Sequence, residues 1–155
     1  MEKRILNFNS KPGAGTIAAV ISFCCRHGEI AGFVLREHHK PYNAELRAFL
    51  NVLRPWQVAS EKTKVWPGPE IDGEFAEFIT CRVSGHFAKV LLPFAPKFVN
   101  CRLREAPEDL CFLRKDGSPL FVSISHEGDG YFDVDGVELE ALGAEEPALR
   151  KALSE

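Results

Sequence analysis

One short segment carries the residue types of a nucleophilic enzyme. Ser125, His126 and Glu127 are consecutive, but neighbours on a strand point to opposite faces, so the three do not form a catalytic triad. Cys111 offers a thiol that a base such as His126 would activate. In the hairpin expected below, however, Cys111 lies opposite Val122, four residues before His126. A small enzyme or ligand-binding protein with a site around Cys111, His126 and Glu127 is therefore the alternative interpretation, and no catalytic residue is assigned.

Metal-ligating residue types occur without a recognised spacing. Asp133-x-Asp135-Gly136 resembles part of a calcium loop, yet the first and twelfth ligand positions would be Tyr131 and Leu142, which excludes an EF-hand. The segment His38-His39-Lys40 is interpreted as a solvated turn. We predict neither a metal nor a cofactor. Four further residues could ligate zinc but match no known zinc spacing, and these are Cys81, His86, Cys101 and Cys111.

A glycine-rich segment near the start of the chain fits part of a dinucleotide-binding pattern. Gly13-Ala14-Gly15-Thr16-Ile17-Ala18 matches G-x-G-x-x-A, in which glycines let a pyrophosphate approach the start of a helix. Four residues separate these glycines from a strand ending at Phe8, whereas the pattern has the turn directly after the strand. No repeated strand-helix-strand pattern follows. We interpret the segment as a loop before a helix.

Charge is distributed unevenly along the chain. Residues 1–104 carry a net charge of +6 and residues 105–155 a net charge of −9, within a total of −3. Six carboxylates lie between Glu127 and Glu140 with no basic residue among them. Like charge this dense is tolerated in free solvent or beside a basic partner. The alternatives are a solvated acidic edge, a surface for a basic protein and a divalent-cation site.

The surface for a basic protein is the leading interpretation. Tyr131 and Asp133 share one face of a short strand, and Phe132 and Val134 share the other, so an aromatic side chain would lie between carboxylates. Such a module would use charge to select its partner and a few buried anchors to hold it. The predicted partner-binding residues are Glu127, Asp129, Tyr131, Asp133, Asp135, Glu138 and Glu140.

Two resemblances accompany these residues. Pro107-Glu108-Asp109-Leu110-Cys111-Phe112-Leu113-Arg114, followed by Asp116-Gly117 and Ser125-His126-Glu127, is similar to a segment of small bacterial proteins that carry no assigned activity. This resemblance implies a bacterial cytosolic protein, and no functional residue is transferred from it. In size and charge alone, the chain is also similar to immunity proteins, which neutralise toxins delivered between bacteria. That analogy implies a toxin domain as the basic partner.

The leading interpretation also predicts how neutralising the acids affects folding stability and binding. Neutralising Asp133, Asp135 and Glu138 together is expected to slow association with the partner and to leave folding stability nearly unchanged, because the acids are taken as surface groups.

Elements that would position these residues are expected along the whole chain. Asn43 is a good N-cap for a helix that ends at Leu53 and buries Leu46, Phe49, Leu50 and Leu53. Residues 17–27 are apolar on all sides and are either a buried helix or a buried strand. A short helix capped by Ser84 is expected to end at Leu92, and a C-terminal helix is expected to begin at Glu145. Residues 57–72 are expected to be mostly irregular. Strands are expected at Arg4–Phe8, Ile30–Glu37, Glu74–Val83, Phe98–Leu103, Leu110–Arg114, Leu120–Ser125 and Tyr131–Val134.

Together these elements predict a single α+β domain over residues 1–155. A mainly antiparallel sheet of about five strands would be covered by about three helices. Apolar residues make up 45% of the 155-residue chain, enough for a core of its own. The hairpin around Asp116-Gly117 would lie near the centre of the sheet, with Phe112 opposite Phe121.

Composition narrows the class of protein further. A net charge of −3 argues against a general nucleic-acid binder, and no apolar run reaches the length of a membrane helix. The five cysteines form no C-x-x-C pair, which indicates reduced thiols and a cytoplasmic location. A non-enzymatic role is favoured, with catalysis left open.

Overall fold

Eight strands form one antiparallel sheet in the computed structural model, which describes residues 2–68, 73–99 and 106–155. Across the sheet, the strands numbered in chain order follow one another as β3-β4-β2-β5-β6-β7-β1-β8. The expected α+β class with antiparallel pairing is confirmed, but eight strands are more than the sequence predicts. The strands are β1 (Arg4–Phe8), β2 (Ile30–Leu35), β3 (Gln57–Thr63), β4 (Ala76–Arg82), β5 (Glu108–Leu113), β6 (Pro119–Ile124), β7 (Asp129–Val134) and β8 (Leu153–Ser154).

Five α-helices accompany the sheet in the described part of the chain, against about three expected from the sequence. Residues 17–27 belong to a helix, which settles the choice between helix and strand. The helices are α1 (Ala14–His27), α2 (Ala44–Leu53), α3 (Gly85–Leu91), α4 (Gly136–Glu145) and α5 (Pro147–Lys151). Short 3-10 helices lie at Glu37–His39, Arg54–Trp56, Leu92–Val99 and Ser125–Glu127.

The helices pack on one face of the sheet, where a row of apolar side chains crosses the strands. Phe132 of β7 opposes Phe121 of β6, which in turn opposes Phe112 of β5. All three rings are at most 1% exposed. Phe23 of α1 packs edge-on against Phe132 with ring centroids 6.0 Å apart, which identifies this as the helix-covered face. The opposite face is called the outer face below.

Part of the outer face is covered by the segment that follows β3. Trp66, Val34 and Ala76 form a small second apolar cluster there, with Phe78 against it. A Cβ on Gly32 would lie 2.5 Å from the Phe78 ring, so any larger residue would force this ring to move. The central strands are therefore buried on both sides, which explains why β2 is apolar along its whole length.

The hairpin of β5 and β6 has nearly the predicted register. Cys111 opposes Val122 and Phe112 opposes Phe121, as expected. Leu113, however, opposes Pro119 instead of Leu120, because the ladder shifts by one residue after Phe112. The pair occupies the fourth and fifth places among the eight strands, in agreement with the predicted central position.

The structure differs from the sequence predictions in four other places. Residues 57–63 form strand β3 instead of irregular chain, and residues 136–145 form helix α4, which the sequence analysis did not predict. The strand expected at 98–103 is replaced up to Val99 by a 3-10 helix, and its remaining residues lie outside the described ranges. The predicted burial on α2 holds for Leu46, Phe49 and Leu53, while Leu50 is half-buried at the edge of the core.

Candidate functional site

The predicted partner-binding strand presents carboxylates and an aromatic ring on the outer face. Along β7, the side chains of Asp129, Tyr131 and Asp133 alternate with buried positions, including Phe132 and Val134, both fully buried. Since successive side chains point to opposite faces of a strand, the three accessible residues share the outer face. The predicted division of residues 131–134 between the two faces of the strand is therefore confirmed.

The neighbouring strands continue this surface as part of a sheet. On β1, Ile5 opposes Asp133 and Asn7 opposes Tyr131. Ile5 is 46% exposed, which leaves an apolar side chain beside the carboxylate. On the other side, Val122 of β6 opposes Tyr131 and is fully buried. The Tyr131 ring thus lies on the sheet surface between an exposed edge and a covered centre.

One carboxylate oxygen of Asp133 accepts no hydrogen bond from the described residues. Its Oδ2 lies 3.9 Å from Nζ of Lys3, whereas Oδ1 is buried and has no partner in the described protein. The side chain as a whole is 20% exposed. A buried acceptor without a donor is unfavourable. Because Oδ1 is buried, a group that docks on the outer face reaches only the exposed part of this side chain and not Oδ1.

Two other predicted partner-binding residues stabilise the fold instead. The Asp135 side chain accepts a hydrogen bond from the Glu138 backbone N–H at 2.9 Å, and Glu138 accepts one from the Asp135 backbone N–H at 2.9 Å. This capping box begins α4. Glu138 also binds Arg114, with Oε2 2.6 Å from a guanidinium nitrogen. Both carboxylates are engaged within the chain, so they are poor candidates for direct contact with a partner.

The remaining predicted acids are exposed. Glu127 lies 3.7 Å from Nε2 of His126, on the 3-10 turn before β7. Asp129 accepts a hydrogen bond from the backbone N–H of Gly130 at 2.7 Å. Glu140 is exposed on α4 and forms no ion pair within the residues that the structure describes. These acids carry the negative charge that solvent can reach.

The uneven charge along the chain is partly neutralised by the fold. Strand β1 lies between β7 and β8, and α1 contacts α4 and α5, so the basic N-terminal region meets the acidic C-terminal region. Exposed pairs of this kind contribute little stability each, but they reduce the local excess of negative charge. The pairs are Lys3–Asp133 at 3.9 Å, Arg4–Glu155 at 2.9 Å, Arg26–Glu145 at 2.7 Å and Arg26–Glu146 at 2.9 Å.

The residues of the alternative enzyme site do not come together as a nucleophile and its base. Cys111 is fully buried, and burial raises the pKa of its thiol to about 12. Its sulfur lies beside Gly32, on the covered part of the outer face. His126 is about half exposed and has Glu127 as its charged neighbour. A thiol that stays protonated is a weak nucleophile, so the geometry does not favour chemistry at Cys111.

A histidine cluster that the sequence analysis interpreted as a solvated turn lies where β2 ends and β5 begins. Nε2 of His38 is 2.7 Å from Oε1 of Glu108, and a guanidinium nitrogen of Arg36 is 3.6 Å from Oε2. The rings of His38 and His39 stack at 4.3 Å. His39 is 1% exposed, and burial lowers the pKa of its ring. The interpretation as a solvated turn is therefore wrong for His39.

A strained residue helps to position Glu108. Asp109 has a φ of 53°, a conformation that residues other than glycine rarely adopt. Three hydrogen bonds hold it: Oδ2 accepts from Nε1 of Trp66 at 2.9 Å, Oδ1 accepts from the Ser125 backbone at 2.9 Å, and its own N–H donates to Oγ of Ser125 at 2.7 Å. Strain maintained in this way is common at functional sites. The only sequence signal for this cluster is the pair of adjacent histidines, His38 and His39. No local sequence pattern connects this pair with Glu108.

An open groove of about 670 Å³ lies on the other side of the same turn, along β3 and the start of β4. Glu37 and Lys40 from the turn line it, together with Lys62 and Lys64. The ammonium groups of these two lysines lie 5.4 Å and 4.8 Å from the centre of the exposed Phe75 ring. None of the residues that the sequence analysis proposed as a site lines this groove.

Comparison with known proteins gives no match: no family model, no curated protein and no solved structure is similar to this chain. Among the described residues, no helix has the length and apolar character needed to cross a membrane.

Proposed function

We propose that this chain is a protein-binding module of the immunity type, which holds a basic partner such as a toxin domain on the acidic outer face of β7. The observation that carries this proposal is the row Asp129–Tyr131–Asp133, with an aromatic ring between two carboxylates on a sheet surface. Aromatic side chains are frequent anchors at protein interfaces, and flanking charges guide the approach of a partner.

The proposed roles of the acids follow from their contacts. Exposed Glu127, Asp129 and Glu140 attract the partner at long range. Asp133 adds negative charge beside Tyr131 through the exposed part of its side chain. Asp135 and Glu138, which the sequence analysis grouped with them, maintain α4 and act only through the position of that helix.

The shape of the candidate sites favours binding over catalysis at these residues. An enzyme centred on Cys111, His126 and Glu127 would place them at a concave pocket. The large groove is lined by other residues, and Cys111 is fully buried. A sheet face with exposed charges and an aromatic ring is instead typical of an interface.

The test compares variants that change either the charge or the anchor. Proteins from an extract of the native host are captured on the wild type, on Asp129→Asn/Asp133→Asn and on Tyr131→Ala. A matched control, Glu61→Gln/Glu74→Gln, removes two exposed carboxylates from the other end of the sheet. A partner retained by the control and lost on the other two variants is then purified, and its binding rates are measured at low and high salt.

The expected result separates charge from anchoring. The double Asn variant should associate about 10-fold more slowly at low salt, and this difference should disappear near 1 M salt, where the Debye length is about 3 Å. Tyr131→Ala should dissociate faster with a nearly unchanged association rate. Association that is independent of salt and equal in the wild type and the double Asn variant contradicts the proposal.

A further inference from the structure

Three metal-ligating side chains meet at one end of the sheet. His38 and His39 come from the 3-10 turn after β2, and Glu108 begins β5. One ligand atom from each residue lies within 4.8 Å of the corresponding atoms of the other two. Glu108 is 7% exposed and His39 is 1% exposed, whereas the His38 side chain is about half exposed. The cluster is therefore buried at Glu108 and His39 and open to solvent at His38.

We propose that His38, His39 and Glu108 bind a divalent first-row transition-metal ion, with zinc as the expected occupant. Two imidazoles and a carboxylate are a ligand set that such ions prefer. Ligand atoms on one tetrahedral zinc ion lie roughly 3.4 Å apart, given bonds of about 2.0–2.1 Å. The three donor atoms lie within 4.8 Å of one another, so they must move closer to hold one ion. The stacked rings of His38 and His39 must also turn, because a bound ion lies in the plane of each imidazole.

Surrounding groups orient the three ligands. Arg36 lies 3.6 Å from Oε2 of Glu108, which leaves Oε1, beside His38, as the ligating oxygen. Nδ1 of His39 accepts a hydrogen bond from the Arg36 N–H at 2.9 Å and lies 3.3 Å from the Arg36 carbonyl oxygen, so Nε2 is the nitrogen left for an ion. Metal binding at Nε2 requires the ring proton to move to Nδ1, which then gives up the bond from the N–H and donates to that carbonyl oxygen instead.

The strained backbone at Asp109, in β5, fits this role. Its side chain is fixed by Trp66 and Ser125, two residues from different parts of the chain. These bonds hold Glu108 against the histidine turn, so the carboxylate is in place before an ion arrives. Three protein ligands leave a fourth tetrahedral position on the solvent side, where water or an external ligand would bind.

The experiment measures zinc binding directly. Protein freed of metal with a chelator is titrated with Zn²⁺ by calorimetry, and Co²⁺ is used as a spectroscopic probe because its absorption separates thiolate ligands from nitrogen and oxygen ligands. His38→Ala removes a half-exposed ligand with little effect on the core, and Glu108→Gln keeps the shape of the carboxylate. The matched control is His126→Ala, which removes the histidine of an exposed His–Glu pair that has no second histidine.

The wild type and His126→Ala should each bind one Zn²⁺, and Co²⁺ should show nitrogen and oxygen ligation. His38→Ala and Glu108→Gln should each weaken binding by more than the roughly 10–100-fold that loss of an outer-sphere partner causes. Zinc should also raise the thermal midpoint of the wild type and not of His38→Ala. The proposal is overturned by any of three results: no binding to the wild type, equal binding by wild type and His38→Ala, or thiolate ligation of Co²⁺.

Discussion

The guanidinium of Arg114 and the carboxylate of Glu138 meet at 2.6 Å, with only 16% and 15% of the two side chains exposed. Arg114 lies at the end of the β5–β6 hairpin, and it also donates hydrogen bonds to the backbone carbonyls of Pro119 and Asp133. Glu138 lies in the first turn of α4 and closes its capping box. This one pair therefore joins the hairpin, β7 and α4.

The pair predicts that Glu138→Ala is strongly destabilising. Removing one partner leaves Arg114 largely buried without its counter-charge, which costs about 3 kcal/mol or more in comparable sites. Glu138→Gln should lose less, because glutamine at this position still closes the capping box. Both are measured by urea denaturation, with Glu140→Ala as an exposed acid on the same helix. Equal stability of Glu138→Ala and Glu140→Ala would show that the pair contributes nothing.

This relationship also changes an expectation about the acidic segment. From the sequence, neutralising Asp133, Asp135 and Glu138 together is expected to leave folding stability nearly unchanged. Because Asp135 and Glu138 cap α4 and Glu138 binds Arg114, we now expect that triple variant to be destabilised. Asp129 and Asp133 are the suitable pair for tests of binding.

Burial along α2 predicts unequal effects of truncation at two leucines. Leu46→Ala should cost about 2–5 kcal/mol, because Leu46 is fully buried and its removal leaves a cavity. Leu50→Ala should cost less, because Leu50 is half-buried and solvent can occupy part of the space. Denaturant titration of the two variants measures the difference. An equal or larger loss at Leu50 would contradict the observed placement of the helix.

The parts of the fold that could be predicted have a strong local pattern. Helix α2 combines the Asn43 cap with apolar residues at helical spacing, and the Asn43 side chain does accept a hydrogen bond from the Leu46 N–H at 2.8 Å. The hairpin was predictable because Asp116-Gly117 marks its turn, where Gly117 has a φ of 82°. Both signals lie within a few residues of the structure that they specify.

The elements that were not predicted either lack such a local pattern or have a pattern that was interpreted differently. Strand β3 is exposed on both faces at the edge of the sheet, so its side chains show no apolar alternation. Helix α4 has a signal in the spacing of Asp135 and Glu138, but these two acids were interpreted as part of a partner-binding surface. The contact between His38 and Glu108 depends on the pairing of β2 with β5, which no local pattern can reveal.

Burial predicts that the described thiols react slowly in the folded protein. Burial raises the pKa of Cys25 and of Cys111 to about 12, that of Cys81 to about 11, and that of Cys24 well above its ordinary value. The thiolate is the reactive form, so very little of it exists at pH 8. In a Cys101→Ser background, a thiol reagent should react slowly with the native protein and rapidly after denaturation. A fast phase in the native protein would show an accessible thiolate.

The contacts of Glu145 predict how stability changes in acid. Its carboxylate accepts a hydrogen bond from Arg26 at 2.7 Å and lies 3.0 Å from Nε2 of His27, joining the end of α1 to the end of α4. These bonds, that from Arg26 foremost, hold the pKa of Glu145 below its ordinary value of 4.5. A carboxyl group whose pKa is lower in the folded state binds protons more readily when unfolded. Its stabilising contribution is therefore present above pH 4.5 and is lost as the pH falls through the folded-state pKa.

Glu145→Gln tests this dependence, because glutamine keeps the size of the side chain and removes its charge. At pH 7 the variant should unfold at a lower urea concentration than the wild type. The difference between the two midpoints should shrink as the pH falls below 4.5, since protonation removes the same charge from the wild type. Glu140→Gln, an exposed acid on the same helix, should show no such convergence because it has no ion pair to lose within the described chain. A midpoint difference for Glu145→Gln that stays constant from neutral to acidic pH would mean that its charge does not link α1 to α4.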